Sequence, residues 1–235
     1  MFKPEQFLSP RCTPSTVDIY HDRRAILRAL RQALPLMEGT LLDIGCGYMP
    51  YKPLVLAAPT RVTRYIGMDF ANGDYQKPDI AWNGQQIPLD DATVDCAMAT
   101  EVFEHCPEPG ELMRECCRVL KPHGVLFFTV PFLWPLHDVP HDEYRFTPFA
   151  MRRLLQDAGF GEIQLNAQGG WDASLAQMIG LWARRRPMHR WLRWMMSRMA
   201  VPVVRYLLTR DRPPENFDRN GMITGLSGTA RKGMG

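Results

Sequence analysis

Two hydrophobic rhythms alternate along the chain. Short apolar runs at residues 40–44, 64–69, 94–99 and 125–130 are each closed by glycine, proline or acidic residues, and read as strands. A weaker run at 79–82 and a later one at 162–166 extend the series, and residues 222–232 supply a last strand. Between them apolar residues recur at helical spacing. Ile26, Leu27, Leu30 and Leu34 mark a helix over 22–33, and Leu112, Met113, Cys116, Val119 and Leu120 mark one over 110–120. Pro50 begins a helix through 54–58 that Pro59 ends, residues 121–124 form a turn, and Thr147 caps a helix over 149–158. Residues 1–20, with Pro4, Pro10 and Pro14, read as an irregular arm. Strands alternating with helices predict a largely parallel α/β sheet, and the apolar run at 125–130 reads as its central strand, covered on both faces.

The first strand ends in Asp43-Ile44-Gly45-Cys46-Gly47-Tyr48. Two glycines one residue apart allow a sharp turn and close approach to a ligand, at the strand end where open α/β sheets bind cofactors. The NAD-type fingerprint wants a third glycine at the position of Pro50, and a P-loop wants a lysine-serine/threonine ending that is missing. The plain alternative is an ordinary strand-to-helix turn. Asp69 closes the second strand 24 residues beyond Gly45, near the spacing of ~20 residues at which an acid meets ribose hydroxyls.

With these pieces in order the chain resembles the class I S-adenosylmethionine-dependent methyltransferases, in particular the small-molecule type 11 branch. The resemblance rests on Leu42-Asp43-Ile44-Gly45-Cys46-Gly47, on Gly67-Met68-Asp69, and on Ile87-Pro88-Leu89-Asp90-Asp91-Ala92-Thr93-Val94-Asp95. It continues through Glu101-Val102-Phe103-Glu104-His105, Arg118-Val119-Leu120-Lys121-Pro122-His123-Gly124-Val125 and Ala158-Gly159-Phe160. It covers roughly residues 38–168 and returns at the C-terminus. It implies a Rossmann-like, seven-stranded, mostly parallel sheet with an antiparallel last strand and helices on both faces. The implied cofactor is S-adenosylmethionine, leaving as S-adenosylhomocysteine. Gly45, Cys46 and Gly47 are then expected around its methionine part, with Asp43 near the amino group and Asp69, beside Phe70, at the ribose. Asn83, Gly84 and Gln85 are expected at the adenine, and Glu101 in the cofactor and acceptor pocket. Two departures stand out: Met49-Pro50 replaces a later glycine, and His123 replaces the first glycine of the lysine-proline-glycine-glycine turn.

Residues 131–147 concentrate His137, His141, Asp142, Tyr144 and Arg145 beyond the fifth strand. Relatives sharing this run use it beside the cofactor. The expectation is that His137 or His141 acts as general base, Asp142 orients it, and Tyr144 and Arg145 grip the acceptor. The competing reading makes Asp142 and Arg145 a loop-ordering ion pair. His105 leans structural, with facing the pocket as its alternative. No metal site is expected, because the six cysteines and six histidines show no ligand-spacing motif, His105-Cys106 included.

Charge changes the picture at one place. Residues 184–212 hold nine arginines against Asp211, a local +8 within a total of +3, so the rest of the chain carries −5. The chain thus divides into an arm and helix (1–37), a cofactor-binding core (38–168), a basic helical insert (169–220) and a last strand with tail (221–235). Trp191, Leu192, Met195, Met196 and Met199 share one helical arc with arginines opposite, and Pro202 is expected to interrupt that helix before residues 203–208 continue apolar. This composition fits a membrane-surface contact through 184–212, or equally a lid or the contact of a homo-oligomer. Aromatic stacking motifs in a basic groove are not apparent, which argues against nucleic acid. No run reaches the ~18–20 apolar residues that cross a bilayer, no apolar leader opens the chain, and unpaired cysteines fit a cytoplasmic protein, at most resting on the membrane's inner face. The acceptor is expected to be a small molecule, a saccharide or a lipid intermediate. The alternative is a non-catalytic S-adenosylmethionine-binding scaffold that docks through its insert.

Overall fold

The computed structural model describes residues 3–57, 59–71 and 77–233. In chain order the elements are α1 (Glu5–Leu8), α2 (Tyr20–Ala33), β1 (Glu38–Ile44), α3 (Lys52–Val55), β2 (Arg61–Phe70), β3 (Ile80–Trp82), β4 (Val94–Thr100), α4 (Pro109–Val119) and β5 (Leu120–Pro131). They continue as α5 (Pro148–Asp157), β6 (Phe160–Gln168), α6 (Trp171–Arg185), α7 (Arg190–Arg210) and β7 (Gly225–Lys232). The seven strands form one sheet in the order β3-β2-β1-β4-β5-β7-β6. The first five pair in parallel, and β7 runs antiparallel to both β5 and β6. The rhythm of strands and helices predicts the largely parallel α/β sheet, and the antiparallel last strand of this Rossmann-like fold is the one the resemblance implies.

Alternation along the central strands builds a core on each face. Leu42, Ile44, Ala97, Ala99, Leu126 and Phe128 pack against α4 and α5 residues such as Met113 and Leu155. Leu41, Cys96, Met98 and Phe127 pack the other way, against Ile26 and Leu30 of α2. Apolar burial on both faces, at ~25 cal/mol per Å², is what makes the sheet rigid enough to aim side chains from its edge. Strand order reverses at β1, which lies between β2 and β4, so the turn after β1 opens into the crevice at the carboxyl ends.

Several local expectations change. The N-terminal arm carries the short helix α1, and β5 begins at Leu120, with the register shift between Val94 and Cys96 of β4 absorbing the Lys121–Gly124 bend. The helix after the glycine turn is only Lys52–Val55, and residue 58 of the expected span lies outside the described residues. α7 runs unbroken through Pro202. Pro202 is exposed, so the carbonyl of Arg198 that loses its donor there can be met by water. α7 packs through Ser197, Ala200 and Val204, which are buried, whereas Trp191 and Met199 of the apolar arc lie exposed. The small residues let α7 approach α6, whose Ala176 and Ala183 join Val17 and Cys12 in a separate cluster.

The side chain of Thr147 accepts a hydrogen bond from the amide of Ala150 at 3.2 Å and caps α5 as expected. Thr147→Ala should lower stability by about 1 kcal/mol. Urea denaturation would read this as a lower midpoint at an unchanged slope; an unaltered midpoint would deny the cap any role.

Candidate active site

Gly45 and Gly47 turn the chain after β1 with φ of 65° and 52°, in the left-handed region that L side chains avoid. Met49 adopts the same region at φ 51°, and His123 does so at 64°. Both departures from the expected glycines therefore keep a glycine-like backbone, at a cost of order 1–2 kcal/mol each. Asp43 lies just before the turn and is almost completely buried. Its Oδ2 accepts a hydrogen bond from the Tyr65 hydroxyl, and its Oδ1 has no hydrogen-bond partner among the described residues. Burial raises its carboxyl to about 7, although the Tyr65 bond pulls the other way. A buried anionic oxygen with an open acceptor position is poised for an incoming cationic donor.

Asp69 ends β2 with both oxygens engaged by backbone amides: Oδ2 accepts from Gly47 at 2.7 Å and Oδ1 from Phe70 at 2.7 Å. The carboxylate thus ties the glycine turn to β2, and each oxygen keeps a second lone pair. Phe70 is exposed and stacks on Trp82, ring centroids 5.5 Å apart. Gly84 passes under the Phe70 ring, where a Cβ would come within 3.1 Å. Asn83 uses its Oδ1 to accept from the amide of Gln85 at 3.0 Å, closing a tight turn.

A cavity of about 540 Å³ opens from the glycine turn, within the ~300–1,000 Å³ typical of small-molecule sites. Of the expected cofactor residues it exposes Asp43, Gly45, Cys46, Gly47 and Glu101. Asp69, Phe70, Asn83, Gly84 and Gln85 lie outside its walls, on the β2–β3 side. His105, His137, Trp134 and Arg185 also line the cavity. Glu101, at φ 56°, leaves β4 with its Oε1 buried and without a partner. Burial pushes its carboxyl upward, and the charge of Asp22 adds to the effect.

The loop after β5 ties its charged residues to one another. Arg145 grips both oxygens of Asp142, each at 2.7 Å, and the Asp142 side chain is only 2% exposed. These bonds hold the Asp142 carboxyl well below the usual carboxylate range. Asp142 also accepts from the backbone amide of His137 at 3.1 Å and lies 3.2 Å from its Nδ1. His137 is thereby fixed at the cavity wall. The other candidates point elsewhere: the His141 residue is exposed, Tyr144 donates to the carbonyl of Pro107 at 2.9 Å, and Arg145 is spent on Asp142.

Sequence reasoning missed Asp22, Arg23 and Glu104 here, and leaned the wrong way on His105. Asp22 and Arg23 at the start of α2 wall the cavity, with Arg23 over the Phe7 ring at 4.3 Å from its centroid. His105 lines the cavity, and Glu104 is wholly buried behind it. The acidic and histidine residues bunched directly after an apolar strand, Glu101 to His105, were the available signal. Nothing in residues 20–23 marks them as cavity-forming, since only the packing of α2 on the sheet brings them there.

Comparison with known proteins agrees with this geometry. Residues 42–128 match the methyltransferase-domain family. A Mycobacterium leprae protein described as an uncharacterized methyltransferase is 30% identical over 195 residues, covering 73% of this chain and 69% of its own. The malonyl-[acyl-carrier protein] O-methyltransferase of Methylococcus capsulatus is 27% identical over 192 residues, covering 68% and 69%. Among solved structures, an Archaeoglobus fulgidus S-adenosylmethionine-dependent methyltransferase superposes with a TM-score of 0.56 at 17% identity, over 97% of both chains. One from Mesorhizobium loti gives 0.56 at 16%, over 90% of this chain and all of its own. The fold and the glycine-turn crevice define a class I methyltransferase. The chain belongs to the type 11 S-adenosylmethionine-dependent methyltransferases, and S-adenosylmethionine is its cofactor. The donor set fits that group, because the open Oδ1 of Asp43 is the acceptor an amino-acid ammonium needs. Bound there, the cofactor supplies a methyl group activated by its sulfonium.

Proposed function

We propose that the protein methylates a lipid-linked acceptor presented at an anionic membrane surface. The observation that carries this is one cavity lined both by Asp43, whose Oδ1 has no hydrogen-bond partner among the described residues, and by His137, with Arg185 of the basic helical insert also in its wall. Asp43 and the Gly45–Gly47 backbone hold the methionine part of the cofactor. Asp69 meets the ribose with its remaining lone pairs, and Phe70 with Asn83, Gly84 and Gln85 borders the adenine. His137, oriented by Asp142, serves the acceptor's reacting group, and the Asp142–Arg145 pair holds the loop in register.

The hairpin supports the membrane half of the reading. Trp171, Leu175, Met178 and Trp182 recur at helical spacing on one exposed stripe of α6, and α7 adds exposed Trp191, Trp194 and Tyr206. Arg186 lies over the Trp182 ring at 4.2 Å, and Arg198 over Trp194 at 5.0 Å. Paired tryptophans and arginines on exposed faces suit the headgroup boundary of an anionic bilayer. No described helix is long and apolar enough to cross one. Near the end of the same stripe, the Arg185 guanidinium sits 5.2 Å from the centroid of the Trp134 ring in the cavity wall. A surface-bound acceptor thus has a short route to His137.

Flotation with vesicles containing anionic lipid, followed by transfer of labelled methyl from S-adenosylmethionine to lipid extract, tests both halves. The expected results are flotation that is lost with Trp182→Ser/Trp194→Ser, and label in the organic phase. A protein that stays in the aqueous layer with every vesicle composition would remove the membrane surface from this account.

A further inference from the structure

We infer that Glu104, His105 and His137 form a binding site for a divalent transition-metal ion at the acceptor end of the cavity. This rests on the reading that the acceptor meets His137, and it names how His137 acts. One ligand atom from each of the three residues lies within 4.8 Å of the other two. Ligands ~2.0–2.2 Å from a zinc-type ion are separated by roughly 3.0–4.2 Å. The 3.7 Å between Glu104 Oε1 and His105 Nε2 already falls in that range. The His105 and His137 ring centroids are 4.7 Å apart and the rings meet edge to face, so a small rotation converges their nitrogens.

Three independent features point to an ion rather than to a chance cluster. Glu104 is 0% exposed, and neither of its carboxylate oxygens has a hydrogen-bond partner among the described residues. A buried carboxylate without a partner is costly, and a cation is the group that would repay it. Each histidine is also already oriented through its other nitrogen. His105 Nδ1 lies 3.0 Å from the carbonyl oxygen of His141, and His137 Nδ1 lies 3.2 Å from Asp142 Oδ2. A carbonyl or carboxylate behind the imidazole is the arrangement that fixes the tautomer and presents Nε2 to a metal. Finally, Asp138 places Oδ2 at 4.0 Å from His105 Nε2 and offers a fourth oxygen from the loop.

Two imidazoles and one carboxylate favour zinc, iron(II), manganese(II) or cobalt(II) over magnesium, which prefers oxygen ligands and retains its waters. Three protein ligands leave positions open on the cavity side. An acceptor hydroxyl entering one of them would lose its proton to water more readily, as metal-bound water does. His137 then acts on the acceptor as a ligand of the ion, and Asp142 as a positioning residue behind it.

The test is a calorimetric titration of the chelator-stripped full chain with Zn²⁺, and separately with Mg²⁺, alongside S-adenosylhomocysteine titrated into the same stripped wild-type sample. We expect one Zn²⁺ per chain, with much weaker Mg²⁺ binding. His105→Ala and His137→Ala should each weaken Zn²⁺ by about 100-fold or more, since even loss of an orienting partner costs 10–100-fold. Glu104→Gln, nearly isosteric, should weaken it with the circular-dichroism spectrum unchanged. Substituting Co²⁺ should give visible absorption that disappears in the folded His105→Ala/His137→Ala double variant. No stoichiometric Zn²⁺ binding, or equal binding by that double variant, overturns the ion site. If S-adenosylhomocysteine still binds in that case, the methyltransferase reading stands and only the metal falls.

Discussion

Between pH 8 and pH 6, affinity for S-adenosylhomocysteine should fall about tenfold. The cause is Asp43. Burial raises its carboxyl to about 7, so the unliganded protein holds a proton there at pH 6 and has released it at pH 8. In the proposed function the ammonium of the cofactor's methionine part pairs with the ionised form. Below pH 7 the proton must leave first, which costs about a factor of ten per pH unit. The linkage runs the same way for stability. A folded carboxyl pKa above its unfolded value means the native state binds the proton more tightly, so Asp43 penalises the empty protein increasingly as pH rises from about 4 to about 7. Ligand-induced thermal stabilisation should therefore be larger at pH 8 than at pH 6. In Asp43→Asn the affinity should be lower throughout and this slope should vanish; whatever slope persists belongs to Glu101, whose carboxyl is also raised by burial. Equal slopes in wild type and variant would dismiss Asp43 as the ammonium's partner.

His137→Ala should reduce kcat by about 100-fold or more while leaving S-adenosylhomocysteine affinity unchanged. His137 lines the cavity from the loop after β5 and not from the glycine turn, so its loss is expected in turnover rather than in cofactor binding. His141→Ala is the informative comparison. Only the backbone carbonyl of His141 reaches toward the site, holding His105, and an alanine supplies the same carbonyl. Steady-state turnover at saturating cofactor should therefore separate the two histidines. Equal losses in both variants would mean that the loop's integrity is being measured instead of chemistry.

Much of the scaffold was legible without coordinates because its signals are local. The glycine turn, the acid that ends β2, the Thr147 cap and the apolar runs of β4 and β5 each depend on backbone conformation or on neighbours within a few residues. Asp142 and Arg145 were legible as a pair for the same reason, being three residues apart on one loop. The hydrophobic pattern of α7 was less informative. Trp191 and Met199 of the apolar arc lie exposed, and α7 packs instead through Ser197, Ala200 and Val204, since close approach to α6 selects small side chains over large ones. Pro202 promised a break that did not form, because an exposed carbonyl can find water.

What the sequence by itself determined, then, is the order of elements, the cofactor crevice and the family. Only the tertiary structure decided which side chains share a cavity and what state they are held in. Asp22, Arg23, Glu101, His105 and His137 come from three separated segments, and the packing of α2 and of the post-β5 loop on the strand ends brings them together. The partnerless burial of Glu104 and the raised carboxyl of Asp43 arise in the same way. Desolvation is a property of everything that surrounds a group, and no local pattern of residues records it.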